Sequence, residues 1–262
     1  MEICWRRELR LVFVGTRGHD GGMPDVRSHR GMHPQDAVLF SENQWPVLRT
    51  AVEELSWLLT KGYAEPSSLK LVGDRHQLRE RQRTLVSRAA CTDGQRAQRE
   101  SVRVVAEQIE NQRVFIDGFN LLITIEAALS GAVLFVGRDG AIRDLSSVHG
   151  SYRSVEETEL ALSMIGGCLE SLCPASVKWL LDQPVSNSGR LAQRIRDLAS
   201  RHEWPWEVDL VMNPDRELME MHGEIVVTSD SLILDHVQRW LPLSEFVIHA
   251  HLSARSIIDL RS

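Results

Sequence analysis

The sequence is poor in the features that define several large protein classes. Its four cysteines, Cys4, Cys91, Cys168 and Cys173, form no CxxC pair, which argues against a disulfide scaffold or a zinc site. No apolar run approaches the roughly 18–20 residues of a membrane-spanning helix. The first residues carry arginines and Glu8 where a secretory signal would have an apolar stretch. We therefore expect a cytoplasmic protein with no membrane partner.

Lysine is almost absent, because only three of the 30 basic residues are lysines. The net charge of −6 is unevenly distributed along the chain. Up to residue 105 there are 17 Lys and Arg against 13 Asp and Glu, whereas the remainder has 13 against 23. The planar guanidinium of arginine suits phosphate groups. The same enrichment also fits a solvated helix face or a bias in genome composition, so both interpretations of the basic region stay open.

The N-terminal part of the chain has a helical pattern. Residues 1–29 are rich in glycine and polar residues and predict a loose lead-in with a short strand at 10–14. From Trp45 the apolar residues follow helical spacing until Gly62. These features predict an arginine-rich, all-α domain over residues 30–110. The predicted helices cover 45–61, 67–72, 76–91 and 95–110.

The arginines of these helices are candidate contacts for RNA phosphates. In the helix predicted at 95–110, Arg96, Arg99 and Arg103 follow one another at i, i+3 and i+7 and would form one basic ridge. The predicted substrate-binding arginines are Arg79, Arg83, Arg96, Arg99 and Arg103.

After Gln112 short β-branched runs alternate with helical segments. This alternation predicts an α/β domain over residues 111–262, with a mostly parallel sheet flanked by helices. Asp139 and Gly140 predict the turn of a hairpin within 138–144. The predicted strands are 114–116, 133–136, 177–181, 208–211, 225–228 and 246–248. The predicted helices are 119–129, 155–171, 189–201 and 230–239.

Three of the predicted strands end in an aspartate, namely Asp117, Asp182 and Asp230. Ligand sites in open parallel sheets lie beyond the carboxyl ends of the strands. If the three strands are neighbours, the carboxylates converge and require a hard cation such as Mg²⁺ or Mn²⁺. For each aspartate taken alone, the alternative is a helix N-cap.

Further candidates lie close to these aspartates in the sequence. Glu157 is preferred over Glu159 as an acid from the helix at 155–171. Asp235 lies one helical turn beyond Asp230 and is either a fourth metal ligand or a solvated helix residue. The polar segment after Asp182 opens a helix and predicts a phosphate cradle. Its candidate residues are Ser186, Asn187, Ser188 and Arg190.

Two motifs resemble those of PIN-like ribonuclease domains, particularly the NYN branch. The run Asp117-Gly118-Phe119-Asn120 follows an apolar strand, as does the opening Asp-Gly-x-Asn signature of that family. The run Thr228-Ser229-Asp230 is similar to its late Thr-x-Asp motif. The resemblance covers about residues 112–262. The region from Arg30 to Asp93 resembles an uncharacterised prokaryotic helical domain that occurs with such PIN-like domains.

The resemblance implies a PIN-like nuclease domain that hydrolyses structured or single-stranded RNA with Mg²⁺ or Mn²⁺. By position, Asp117 and Asp230 match metal-binding aspartates and Asp182 a strand-end acid of the NYN branch. Asn120 matches the polar residue next to Asp117, and Glu157 is the candidate for the helix acid. Two alternatives stay open, a non-catalytic RNA-binding or regulatory module and a metal-dependent nucleotide phosphohydrolase. The oligomeric state is also open, with a homo-oligomer among the expectations.

Overall fold

The computed structural model describes residues 31–146, 152–252 and 256–261. The predicted lead-in at 1–29, with its strand at 10–14, lies outside the described residues. Within the described ranges, every helix is too short or too polar to cross a lipid bilayer.

Helices and strands alternate through most of the described chain. The α-helices are α1 (Asp36–Leu39), α2 (Trp45–Thr60), α3 (Glu65–Arg75), α4 (Glu80–Ala89), α5 (Asp93–Ser101), α6 (Gly118–Ser130), α7 (Thr158–Leu172), α8 (Ser188–His202), α9 (Pro214–Met219), α10 (Ser231–Leu234) and α11 (Leu243–His251). The strands are β1 (Arg113–Asp117), β2 (Leu134–Val136), β3 (Ile142–Asp144), β4 (Ser176–Asp182), β5 (Trp206–Val211), β6 (Ile225–Val227) and β7 (Ile258–Asp259).

The predicted N-terminal helical region is confirmed. Helix α2 buries Leu48, Val52 and Leu55 completely, as the spacing of its apolar residues predicts. These side chains share one apolar cluster with Phe135 of β2 and Ile258 of β7. The helical region therefore packs on the α/β part through a continuous core.

The helix predicted at 95–110 is wrong in length, because α5 ends at Ser101. The chain then runs extended beside Trp240: the Val104 amide donates to the Trp240 carbonyl at 2.9 Å, and the Trp240 amide donates to the Val102 carbonyl at 3.0 Å. Val105, which lies within the range predicted as helix, is 54% exposed. Backbone pairing with a distant segment therefore replaces the last turns of the predicted helix.

The main sheet has the order β5-β4-β1-β6, and each neighbouring pair is parallel. This confirms the predicted α/β class with a parallel sheet. Ile116 and its alternating neighbours face a large apolar cluster formed with α6, α7, α8 and α11. Phe115 and Val226 face the opposite side, where residues of α9 and α10 cover the sheet. Helices therefore flank both faces, and β1 is a central strand.

A second, three-stranded sheet has the order β3-β2-β7. Strands β2 and β3 form the predicted hairpin, and Gly140 in its turn has a φ of +82°, a conformation that favours glycine. This sheet places Asp139 and Arg143 close to the carboxyl edge of the main sheet, as the ion pairs below show.

Two predicted elements near the C-terminus are wrong. Residues 246–248 are part of helix α11 and not a strand, since Leu243, Val247 and Ile248 form a buried helical stripe in the core with α6 and α7. The helix predicted at 230–239 is reduced to the four residues of α10. Beyond it the Leu241 amide donates to the Val226 carbonyl at 2.9 Å, so pairing with β6 competes with helix extension.

Candidate functional site

The three strand-end aspartates lie on adjacent strands. Asp117 is the last residue of β1, Asp182 is the last residue of β4, and Asp230 follows β6 after two residues. Strand β1 pairs with both β4 and β6 in parallel, so all three aspartates lie at one edge of the sheet. We call these three residues together with Asp215 the aspartate cluster.

Asp117 is the central and most buried member of the cluster, with 7% of its surface exposed. Its Oδ2 accepts a hydrogen bond of 2.8 Å from the Thr228 hydroxyl. Burial, opposed by the Thr228 hydrogen bond and aided by the charges of Asp215, Asp230 and Asp182, raises the pKa of Asp117 to about 7. Near neutral pH this carboxyl group is therefore poised between its protonated and charged forms.

Asp215 is a member of the cluster that sequence reasoning missed. It lies in α9, which follows β5, and burial raises its pKa together with the charges of Asp230 and Asp182. Burial also raises the pKa of Asp182. The signal was present in the sequence, because Asn213 and Pro214 after a strand are typical of a helix start. A helix that starts there brings its first acid to the same edge of the sheet.

The helix N-cap alternative holds for one of the three predicted aspartates. Asp230 caps α10, since its Oδ1 accepts from the amides of Leu232 at 2.7 Å and Ile233 at 3.3 Å. Both bonds use the same carboxylate oxygen. Asp117 precedes α6 but makes no side-chain cap bond, and the residue before α8 is Asn187 rather than Asp182. Capping therefore explains neither Asp117 nor Asp182.

Asn120, predicted to be catalytic, fixes the loop that carries Asp230. Its Oδ1 accepts from both the amide and the hydroxyl of Ser229, each at 2.9 Å. The Thr228 hydroxyl accepts from the Asp230 amide at 3.0 Å. These bonds connect the first turn of α6 to the end of β6. The structure thus brings the residues of the two predicted motifs into direct contact.

A buried group of charges, which we call the arginine network, lies on the other side of this loop. It consists of Arg99, Asp139, Arg143 and Asp235. Arg143 donates to both oxygens of Asp139 at 2.8 and 2.7 Å, and Arg99 donates to Asp139 at 2.6 Å. The neighbouring arginines hold the pKa of Asp139 well below its usual range despite its burial.

The arginine network supports the backbone on both sides of Asp230. The Arg143 Nε donates to the Ser229 carbonyl at 2.8 Å, and the Arg99 Nη2 donates to the Ser231 carbonyl at 3.0 Å. Arg99 belongs to α5 of the helical region. A residue outside the α/β part therefore helps to position the loop of the aspartate cluster.

Two predicted site residues are used within this network, and their predicted roles are wrong. Arg99 was expected on an exposed ridge, but only 1% of its side chain is exposed. Asp235 was expected to bind metal, but its Oδ1 accepts from Arg99 at 2.8 Å and its Oδ2 accepts from Gln95 at 2.7 Å. The two residues neutralise each other, which leaves neither charge available to a ligand.

The other predicted arginines do not form one continuous ridge. Arg83 pairs with Asp74 at 2.8 Å, and Arg103 pairs with Glu245 at 2.5 Å, beyond the end of α5. Because α5 ends before Arg103, the i, i+3, i+7 spacing no longer places these residues on one helix face.

The predicted phosphate cradle is built mainly from internal hydrogen bonds. The Asn187 amide group donates to the Tyr152 carbonyl at 2.9 Å, and the Ser188 hydroxyl donates to the Gln183 carbonyl at 3.3 Å. These donors therefore hold the loop together, which corrects the prediction for Asn187 and Ser188. Four predicted RNA contacts are exposed or half-buried: Arg79, Arg96, Ser186 and Arg190.

The predicted helix acid lies at the start of α7. Glu157 is half-buried directly before this helix, whereas Glu159 is exposed and pairs with Arg201 at 3.3 Å. The acid with the largest charge effect on Asp117 is Asp215. Asp215 is therefore an acid of the cluster in addition to the predicted ones.

A cleft of about 500 Å³ lies beside the cluster. Its lining includes Asn120, Ser229 and Asp230 of the α/β part and Ser87 and Arg88 of α4. A second cavity of about 630 Å³, lined by apolar residues of α2 and α3 such as Trp57 and Leu71, involves no member of the aspartate cluster. Of the two cavities, the polar cleft is therefore the one that a member of the cluster, Asp230, lines.

Comparison with known proteins assigns the chain to a family without an established activity. Residues 106–246 match the family described as "Domain of unknown function (DUF5616)", and residues 47–101 match "Protein of unknown function (DUF434)". The chain belongs to the DUF5616 family. Over 189 residues it is 31% identical to the "Uncharacterized protein MJ0935" of Methanocaldococcus jannaschii, an alignment that covers 71% of this chain and 88% of that protein. No solved structure matches the chain.

The two matched regions divide the site between them. All four residues of the aspartate cluster lie in the DUF5616 region, whereas Arg88 and Arg99 lie in the DUF434 region. The DUF434 region therefore contributes one wall of the cleft and part of the support for the Asp230 loop.

The cluster fits a hydrated divalent cation better than a closed metal cage. In the part of the chain that the structure describes, no group of three or more His, Cys, Asp and Glu is arranged to hold a metal ion. Mg²⁺ often binds proteins through only one or two carboxylates and keeps several waters. The buried Asp117 and the neighbouring Asp230 offer hard oxygen donors of this kind. These residues suit Mg²⁺ or Mn²⁺ with water completing the coordination.

Proposed function

We propose that the protein is a metal-dependent endoribonuclease with a PIN-like α/β domain. The observation that carries the proposal is the burial of Asp117 beside three further aspartates at the carboxyl edge of a parallel sheet. Burial of a carboxylate among like charges costs free energy unless a proton or a cation compensates it. Strongly perturbed groups of this kind are concentrated at functional sites.

In this proposal Asp117 and Asp230 hold Mg²⁺ or Mn²⁺, with Asp182 and Asp215 close by. When bound, the ion supplies an activated water and stabilises the charge that develops on the phosphodiester oxygens. Thr228 orients Asp117 through its hydrogen bond to Oδ2. Asn120 orients the Asp230 loop through Ser229. The resemblance of the two motifs to PIN-like domains supports the same assignment.

The proposed function is tested by incubating mixed RNA with the protein and Mn²⁺. We expect cleavage that EDTA abolishes and that Asp117→Asn reduces at least about 100-fold, since the variant removes a ligand charge. Asp197→Asn is the matched control, because Asp197 is exposed on α8 and accepts a hydrogen bond from the neighbouring Gln193. Cleavage that survives both EDTA and Asp117→Asn would show that the aspartate cluster is not the active site.

A non-catalytic RNA-binding module is the second candidate. The observation in its favour is that no group of three potential ligands within the described ranges is arranged for a metal. It predicts salt-sensitive RNA binding without turnover in any divalent cation.

A nucleotide phosphohydrolase is the third candidate, since a cleft of about 500 Å³ is in the usual range for small ligands. Hydrolysis of free nucleotides in the absence of RNA cleavage would favour it.

A further inference from the structure

We propose that the cleft binds the phosphate backbone of an RNA strand and that Arg88 of the DUF434 region contacts one of its phosphates. The proposal rests on the proposed function and deepens it, because it assigns substrate contact to a region outside the aspartate cluster. It makes the helical region one half of the substrate-binding groove.

The position of Arg88 is the first support for this proposal. Arg88 lies near the end of α4 and lines the same cleft as Asn120 and Asp230. Its Nη1 donates to the Asp144 carbonyl at 2.8 Å and to the Ser146 carbonyl at 3.0 Å. These two bonds fix the guanidinium group at the wall of the cleft. Both bonds use the same nitrogen, Nη1. They fix the orientation of the guanidinium group and do not use its other N–H donors.

The charge of Arg88 is the second support. Arg81, Arg83 and Arg99 of the helical region form ion pairs with carboxylates. Among the described residues, Arg88 makes no ion pair, and its recorded partners are neutral carbonyl groups. A half-buried arginine with an uncompensated charge is a suitable partner for an anion, and its planar donors match phosphate oxygens.

The neighbouring Arg143 is not available to a phosphate in the same way. It also lines the cleft, but Asp139 binds its guanidinium group at two points and neutralises its charge. Within the described part of the cleft wall, Arg88 is therefore the cation that is available to a phosphate. The carboxylates of Asp230 and Glu65 also line the cleft and would repel RNA, so binding of RNA there needs a cation in the lining.

The test is a binding experiment on the full chain in EDTA, in which cleavage does not occur. Fluorescence anisotropy of a short fluorescein-labelled single-stranded RNA is measured at several salt concentrations. For Arg88→Gln, which keeps a donor for the two carbonyls but loses the charge, we expect affinity about tenfold lower. We also expect the slope of log K against log salt to fall by about 0.7, the value for one phosphate contact to a single strand.

Two further variants separate phosphate contact from a structural effect. Arg113→Gln is the matched control, because Arg113 is 63% exposed at the start of β1, at the opposite end of the strand from Asp117. We expect it to bind RNA like the wild type. Arg88→Lys keeps the charge, so we expect it to recover the salt slope even if packing at the end of α4 changes.

Several results would overturn the proposal. One is that the wild-type protein does not bind the RNA. Another is that Arg88→Gln binds it with the affinity and salt slope of the wild type. Competition by free adenosine monophosphate as strong as that by the RNA strand would instead assign the cleft to a small nucleotide. Because binding is measured in EDTA, RNA binding in this experiment together with no cleavage in the separate Mn²⁺ assay would contradict the proposed nuclease activity and leave this proposal intact.

Discussion

Asp139 of the arginine network and Asp117 of the aspartate cluster are both buried and differ in how their charge is compensated. Asp139 is 6% exposed and Asp117 is 7% exposed. Asp139 has two arginine partners that hold its pKa well below the usual range. Asp117 has a hydroxyl donor and three acidic neighbours, and its pKa is raised to about 7. The two carboxyl groups are therefore about equally buried, but their pKa values are shifted in opposite directions.

The difference separates a structural acid from a candidate functional acid. A buried charge that has its partners in the folded chain contributes to the architecture, whereas a buried charge without them costs stability and can bind a cation. Arg143 and Arg99 connect the two groups, since they hold the backbone of Ser229 and Ser231 on either side of Asp230. The arginine network thus provides a rigid support for the aspartate cluster.

The largest effect is expected for Asp139→Asn, which removes the central acid of the arginine network. The variant leaves Arg143 buried without an ion pair, and we expect it to lose about 3–5 kcal/mol of unfolding free energy. Urea denaturation at neutral pH measures this loss. Because the pKa of Asp139 is lowered in the folded state, its contribution is present above about pH 4 and is lost as the pH falls. A loss no larger than that of Asp197→Asn would show that the network does not stabilise the fold.

The next largest effect is a gain in unfolding free energy instead of a loss. We expect Asp117→Asn to raise the unfolding free energy at pH 8 in EDTA by about 3 kcal/mol, because it removes an uncompensated buried charge. The pKa of Asp117 rises from an ordinary 3.8 to about 7 on folding. Its stabilising contribution is therefore complete below about pH 4 and disappears as the pH rises through 7. Urea denaturation at pH 5 and pH 8 measures the difference.

One result would show that Asp139→Asn and Asp117→Asn do not affect the unfolding free energy in opposite directions. If Asp117→Asn destabilised the protein at pH 8 in the absence of metal, Asp117 would be a compensated structural acid like Asp139. Asp197→Asn serves again as the exposed control, and we expect it to show no comparable dependence on pH.

The sequence predicted the fold where apolar spacing alone decides the structure. Helix α2 and strands β1, β4, β5 and β6 lie close to their predicted positions. The errors occur where distant residues compete with local preference. Residues 102–104 pair with Trp240 instead of extending α5, and the β-branched run at 246–248 forms a buried helical stripe. Local patterns do not show such long-range pairing.

The position of Asp117, Asp182 and Asp230 at one edge of the sheet could be predicted because parallel strands place their carboxyl ends there. Ion-pair partners could not be predicted in the same way. The pairing of Asp235 with Arg99 spans 136 residues and depends on how α5 packs against α10. The charge of an isolated residue does not show whether the fold neutralises it, and this is the information that distinguishes Asp235 from Asp230.

An intermediate effect is expected from added metal. If the aspartate cluster binds Mg²⁺, the ion at about 30 times its Kd should stabilise the wild type by about 2 kcal/mol at pH 8. The gain should shrink at pH 5, where Asp117 is protonated and protons compete with the ion. Thermal unfolding with and without Mg²⁺ measures this gain. An equal gain in Asp117→Asn would place the bound ion elsewhere in the protein.

The smallest effect is expected for Asp182→Asn. Burial raises the pKa of Asp182 in the same direction as that of Asp117, but Asp182 is only half-buried, so water screens its interaction with the other aspartates. We expect a gain of less than about 1 kcal/mol at pH 8 in EDTA, measured by urea denaturation beside Asp197→Asn. A gain as large as that of Asp117→Asn would mean that the cost of the cluster is shared equally. In that case the greater burial of Asp117 would not distinguish it from Asp182. The cation would then be expected between strands β1 and β4 as much as between β1 and β6.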